Sequence, residues 1–138
     1  MGNFLVQSPA RILIADDSSS VRSTLKKVLE SHSNLWKVCA EASNGAEAVQ
    51  MAVDSKPDLA IIDLQMPVLD GLSASARIAK SLPMIPILIN TIYKSDYVDL
   101  EARNAGVREV ISKAEPGRLL KAVETLLGKK SKPLRKLL

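Results

Sequence analysis

Apolar positions along the chain fall into short unbroken runs separated by stretches of helical spacing. Arg11 to Ala15 is one such run, and behind Ser18 to Ser20, whose hydroxyls can cap a helix, Val21, Leu25, Val28 and Leu29 recur every three or four residues. Strand followed by helix is the expectation there, and the alternation continues. Residues 36 to 42 read as a second strand, Asn44-Gly45 as a break, and residues 46 to 55 as a helix that Pro57 ends. A buried strand is expected at 59 to 62, a helix at 72 to 82 before Pro83, and a fourth apolar strand at 85 to 89. A helix at 96 to 104 is stopped by Gly106 and followed by a strand at 109 to 112. Pro116 sits where a first helical turn tolerates proline, opening a last helix that runs to Leu127 and closes at Gly128.

Five strands alternate with five helices, and the strands lack a polar face. Such strands belong to a parallel sheet covered on both sides, which makes the fold α/β. Right-handed crossovers leave few topologies, and a doubly wound sheet of order 2-1-3-4-5 is the common solution. In that arrangement ligands bind beyond the carboxyl ends of the strands, at the switch point between strands 1 and 3. The residues at those ends are Asp16 and Asp17, Asp63, Thr91 and Lys113.

Composition narrows the class without changing this picture. The 138 residues are 46% hydrophobic and 25% charged, an ordinary globular balance for one domain, and aromatics at 3% leave the core to aliphatic side chains. No apolar run approaches the ~20 residues that span a bilayer, and no charged leader precedes an apolar segment, so a cytoplasmic protein without membrane association is expected. Cys39 is the one cysteine and lies in a strand-like run, where a small buried hydrophobe is expected. The net charge of +4 is local: five basic residues lie in the last ten positions, leaving 14 basic against 15 acidic residues over 1 to 128. Three parts are therefore expected: a lead at 1 to 9, a folded domain at 10 to 128, and a basic tail or start of a linker at 129 to 138. Such a tail is ordinarily solvated, and with no interleaved aromatics to stack bases it does not argue for nucleic acid.

Taken singly, the strand-end residues have plain explanations: Asp16 and Asp17 as helix-capping acids, Asp63 as a turn acid, Thr91 and Lys113 as surface polar groups. Together at one rim they make coherent chemistry. Three carboxylates in one place raise one another's pKa unless a cation sits among them. Mg²⁺ suits such a set, because it prefers oxygen ligands and commonly bridges carboxylates to phosphate. Asp63 is then a candidate nucleophile able to carry a phosphoryl group as an acyl phosphate. The Lys113 ammonium and the Thr91 hydroxyl can stabilise the phosphoryl oxygens.

The segments Ile12-Leu13-Ile14-Ala15-Asp16-Asp17, Asp63-Leu64-Gln65-Met66-Pro67-Val68-Leu69-Asp70-Gly71, Ile87-Leu88-Ile89-Asn90-Thr91 and Val110-Ile111-Ser112-Lys113 resemble the signatures of receiver domains of bacterial two-component response regulators. The resemblance spans about residues 10 to 128. It is nearest to receivers of the branch that carries helix-turn-helix output domains. It implies that Asp63 is the phosphoacceptor, Asp17 a direct metal ligand, Asp16 a ligand through water, and the Gln65 backbone carbonyl a further ligand of Mg²⁺. Lys113 would pair with the phosphoryl group, and Thr91 would be the switch residue. The Met66-Pro67 and Asp70-Gly71 pairs would shape the turn that presents Asp63. The implied partners are a sensor histidine kinase or a phosphotransfer protein, a second copy on phosphorylation, and DNA only through a separate output domain. Such a protein is a signalling phosphoacceptor rather than an enzyme.

Three positions depart from the family pattern. Val110 stands where an aromatic switch partner is usual, Ile92 is bulky where a small residue usually follows the threonine, and Ala114 replaces the common proline after the lysine. The first rules out a rotating ring as the signal. The second suggests that Ile92 crowds the site and slows attack by water. The third removes a cis Lys-Pro bond, so the loop after strand 5 must be held in another way. A haloacid-dehalogenase-like phosphatase would need a second Asp where Gln65 stands, and a flavin carrier would need a phosphate cradle that the first loop lacks. A receiver within a transcriptional regulator, a stand-alone receiver and a degenerate receiver acting as a binding module stay open.

Overall fold

The computed structural model describes residues 8–128, so the expected basic tail and most of the N-terminal lead lie outside the described residues. The elements in chain order are β1 (Ala10–Ala15), α1 (Ser19–His32), β2 (Trp36–Ala42), α2 (Gly45–Ser55), β3 (Leu59–Ile62), α3 (Gly71–Ser81), β4 (Ile87–Thr91), α4 (Asp96–Asn104), β5 (Glu109–Ser112) and α5 (Pro116–Leu127). The strands form one parallel sheet of order β2-β1-β3-β4-β5, as the apolar runs predict.

Side chains alternate across the sheet and divide the core in two. Ile12, Ile14, Leu59, Ile61, Leu88 and Ile111 pack with Leu29 of α1 and with Leu119 and Val123 of α5. On the other face Leu13, Ala60, Ile62, Ile87, Ile89 and Val110 pack with Ala48 and Ala52 of α2, Ile78 of α3 and Ala102 of α4. Burial of these aliphatic side chains, each worth about 1.5–3 kcal/mol, supplies the main drive for folding. The edge strand β2 contributes to both layers because its register to β1 slips between Ile12 and Leu13, leaving Cys39 as an extra residue. Trp36 and Val38 therefore face α1 and α5, whereas Ala40 and Ala42 face the opposite layer. Cys39 itself is only half-buried, not the enclosed hydrophobe its surroundings in sequence suggest.

The helices start where the sequence provides caps. Ser18 Oγ accepts from the Val21 N–H, Asn44 Oδ1 from Glu47, Asp70 Oδ1 from Ser73 and Ser95 Oγ from Val98. The Asn44-Gly45 break is thus the start of α2, not a gap before it. The strand expected at 85 to 89 lies two residues later. Pro86 has no N–H to give a ladder and serves only as an acceptor for Ala60, while Thr91 still pairs with β5, its carbonyl accepting from the Lys113 N–H at 2.9 Å. Helix α3 is likewise displaced by one residue from the expected span, because Asp70 caps it and Gly71 begins it.

Candidate functional site

The β1, β3 and β5 ends converge at the carboxyl rim of the sheet. Asp16, Asp17, Asp63, Gln65 and Lys113 line one open pocket there, together with Ser18, Val21, Met66, Pro67, Asp70, Ile92 and Tyr93. One oxygen from each of Asp16, Asp17 and Asp63 lies within 4.8 Å of the others. The Lys113 ammonium donates to Asp16 Oδ2 at 2.7 Å and lies 3.4 Å from Asp63 Oδ1. Asp16 and Asp63 are buried, whereas Asp17 is exposed on the rim.

Burial sets the electrostatics. It pushes the Asp63 carboxyl above its ordinary range, the Lys113 charge pulls it partway back, and the neighbouring Asp16 carboxylate adds to the rise. Burial alone would lower Lys113, but its hydrogen bond to Asp16 and the charges of Asp63 and Asp16 outweigh that and hold the ammonium above its usual range. Lys113 is therefore a fixed positive charge at neutral pH beside a carboxylate that burial has made more basic than usual.

Local structure fixes these groups. Asp63 follows β3 directly and its N–H donates to the Ala15 carbonyl at 2.9 Å, tying the loop after β3 to the end of β1. The loop then turns back on itself: the Gly71 N–H donates to the Leu64 carbonyl at 2.8 Å, and a Cβ at Gly71 would sit 2.0 Å from the Asp63 carbonyl oxygen. Only glycine allows that approach. At the tip, Val68 has φ 70° and the Leu69 N–H reaches the Pro67 carbonyl at 2.7 Å, a strained turn for a β-branched residue. Asp70, read from sequence as structural, is the cap of α3. On the far side of the pocket, Ser112 Oγ accepts from the Ala114 N–H at 3.1 Å and its carbonyl accepts from Glu115 at 3.0 Å. A proline at 114 could not make the first of these bonds, which is how the loop after Lys113 is held here.

Thr91 stands apart from the other expected site residues. It ends β4 and is fully buried, its hydroxyl oxygen accepting from the Tyr93 N–H at 3.0 Å, and it does not line the pocket. Val110, on the neighbouring strand β5, is buried in the layer of α2 to α4 and pairs with Ile89. Ile92, in contrast, is 67% exposed at the pocket mouth.

Two contributors escaped the sequence reading. Arg22, on the second turn of α1, donates from Nη1 to the Asp16 backbone carbonyl at 2.7 Å and lies near Glu41 at the end of β2. Its half-buried cation braces the acid pair from below, and a helix phase placing it back over β1 was the available signal. Tyr93 acts through a backbone N–H, which no residue type could have announced.

The donor set fits a hard divalent cation. Three carboxylates with oxygens in mutual reach are the hard oxygen donors that Mg²⁺ takes, with the Gln65 segment in the same pocket and the Lys113 ammonium beside two of them.

Residues 12–124 match the response regulator receiver domain family, and the chain belongs to it. It is 36% identical over 105 residues to the transcriptional regulatory protein PdtaR of Mycobacterium tuberculosis, a match covering 76% of this chain and 50% of that protein. To the chemotaxis protein CheY of Thermotoga maritima it is 32% identical over 114 residues, covering 82% of this chain and 93% of that one. The chain thus spans half of the first relative and nearly all of the second. Among solved structures, a LuxR-family two-component response regulator from Aurantimonas superposes with a TM-score of 0.82 at 30% identity, covering 90% of this chain and 89% of that one. Among the described residues no helix is long and apolar enough to cross a membrane.

Proposed function

We propose that Asp63 accepts a phosphoryl group from a phosphohistidine on a sensor kinase or phosphotransfer protein, and that the charge it gains alters what the domain binds. The observation that carries this reading is the Lys113 ammonium shared between Asp16 and Asp63 inside a cluster of three carboxylates. An oxygen of the ionised Asp63 attacks phosphorus, the phosphorus–nitrogen bond breaks, and its electron pair stays on the donor imidazole, which takes up a proton. Lys113 already faces Asp63 and needs no rearrangement to pair with a phosphoryl oxygen. Asp17 and Asp63 would hold Mg²⁺ directly, with Asp16 through water and the Gln65 carbonyl as a further ligand. When bound, the ion supplies charge neutralisation between acceptor carboxylate and phosphoryl oxygens.

Thr91 is the switch in this reading. Its hydroxyl must leave the Tyr93 N–H to reach the phosphoryl group, so phosphorylation releases the loop that leads into α4. The phosphoryl group adds about −1.5 to −2 charge for ordinary phosphoamino acids at neutral pH, enough to bias such a two-state element. The likeness to PdtaR and to a LuxR-family regulator supports a place within transcriptional control, acting on DNA through a separate output domain; the near full-length match to CheY supports a free-standing receiver. A cytoplasmic setting accords with either.

Acetyl phosphate in magnesium buffer tests the core of the proposal. Intact-mass measurement should show one added phosphoryl group, removed by hydroxylamine and absent when EDTA is present or Asp63→Asn is used. Label that persists in Asp63→Asn, or none on the unaltered chain, overturns it.

A further inference from the structure

Asp16 and Asp17 are neighbours in sequence but are held in different ways. Both carboxylate oxygens of Asp16 are engaged: Oδ1 accepts from the Ser18 N–H at 2.9 Å and Oδ2 from Lys113 at 2.7 Å. The exposed Asp17 carboxylate has no hydrogen bond or ion pair among the described residues, so its backbone alone aims it. The peptide unit that leads into Asp17 carries the Asp16 carbonyl. That unit is planar, and Asp16 is already tied to β2 by its N–H, which donates to the Ala42 carbonyl at 3.0 Å. Fixing the carbonyl oxygen as well therefore sets the plane, and with it the Asp17 nitrogen and Cα. The group that fixes the oxygen is the Arg22 guanidinium, which donates from Nη1 at 2.7 Å.

We infer that Arg22 is a positioning residue for magnesium: by holding the Asp16 carbonyl it sets the direction in which Asp17 presents its carboxylate to the ion. The inference rests on the proposed reading of Asp17 as a direct ligand, and not on phosphoryl transfer. Arg22 is not placed as a bond kept for stability would be. Its Nε is buried without a hydrogen bond, the Glu41 oxygen standing 3.4 Å away as an ion pair only, whereas buried donors are ordinarily satisfied. Arg11 gives the contrast: at the opposite end of β1 its Nη1 serves two carbonyls, Ser55 at 2.5 Å and Lys56 at 3.1 Å. Charge alone would act with the opposite sign. A cation beside a cluster of carboxylates repels Mg²⁺, so its removal should tighten magnesium binding, the more so because Glu41 is left without it. A loss of affinity on removing Arg22 therefore has a geometric cause.

Magnesium chloride titrated into 15N-labelled protein and followed by backbone amide shifts gives Kd with no phosphoryl donor present. Arg22→Met keeps the aliphatic stem and removes the donors. It should raise Kd about tenfold, the scale on which groups that orient metal ligands act. Arg11→Met loses the same kind of bond at the far end of the sheet and should leave Kd unchanged, even where thermal unfolding in EDTA shows an equal loss of stability. Should Arg22→Met fail to fold, Arg22→Lys decides. It keeps the charge but loses the rigid fork, and it should also raise Kd, by less. The inference is overturned if the folded Arg22 variant binds magnesium as tightly as the unaltered chain or more tightly. It is equally overturned if Arg11→Met weakens binding as much. An unaltered chain that binds no magnesium overturns the metal reading itself, and the role of Arg22 with it.

Discussion

Gly45 and Leu69 touch through their backbones: a Cβ built on Gly45 would lie 1.9 Å from the Leu69 carbonyl oxygen. The first residue of α2 thereby abuts the loop that carries the candidate phosphoacceptor, and neither backbone can yield cheaply. Gly45→Ala should cost about 2–4 kcal/mol, read from urea unfolding followed by Trp36 fluorescence. Gly117, in the first turn of α5, meets nothing within 4 Å at the same test. There the alanine substitution should gain about 0.5–1 kcal/mol through helix propensity. If both alanine variants shift stability alike, the contact is not what keeps Gly45.

Ser75 on α3 is fully buried and its hydroxyl finds no hydrogen-bond partner. An unmet buried hydroxyl costs about 1–3 kcal/mol, and alanine is the better helix former. Ser75→Ala should therefore raise stability by about 1 kcal/mol, seen as a higher midpoint in thermal unfolding. A lower midpoint would show that the hydroxyl is satisfied in solution.

Much of this structure was legible in the sequence because its signals are repetitive or chemically dense. The one-faced helices and unrelieved apolar strands gave a parallel sheet with two covered faces, and the topology then placed Asp16, Asp63 and Lys113 at one rim. What could not be read depends on close approach or on backbone groups. Gly45 looked like punctuation, since nothing in its neighbours tells that Leu69 lies against it. The Tyr93 N–H that occupies Thr91 is present at any residue but proline. The displaced limits of β4 follow from a ladder that Pro86 cannot join, and the slip at Cys39 leaves no trace in a run of apolar letters.

Asp70 gives a dependence on pH. Burial pushes its carboxyl up, but hydrogen bonds from the Ser73 backbone and hydroxyl, with the Leu72 N–H, outweigh burial and hold it below the usual carboxylate range. A carboxyl depressed on folding stabilises the native state above its unfolded pKa, and that contribution is lost as pH falls through the folded value. The stability difference between the unaltered chain and Asp70→Ala should therefore be about 1 kcal/mol and level from neutrality down to about pH 5. Below about pH 4 it should narrow, as urea titrations at successive pH values would show. A gap that widens on acidification would contradict the sign.

Ile92 is exposed and lines the pocket that holds Asp63, where a bulky side chain would hinder water from reaching a phosphoryl group. Ile92→Ala should shorten the lifetime of the acyl phosphate severalfold, measured as loss of the phosphorylated mass after removal of acetyl phosphate. An unchanged lifetime would free Ile92 from that role.

The extra residue in β2 ties together what the sheet otherwise keeps apart. Because Cys39 resets the alternation, one edge strand anchors Trp36 in the layer of α1 and α5 and Ala42 in the layer of α2 to α4. Excising that single position would leave Val38 and Ala40 consecutive opposite Ile12 and Leu13, an unbroken ladder in which the indole and both alanines keep their layers. A chain lacking Cys39 should thus fare better than one lacking Lys37 or Glu41, whose loss would turn part of the strand to the wrong face, and the two layers are expected to melt as one.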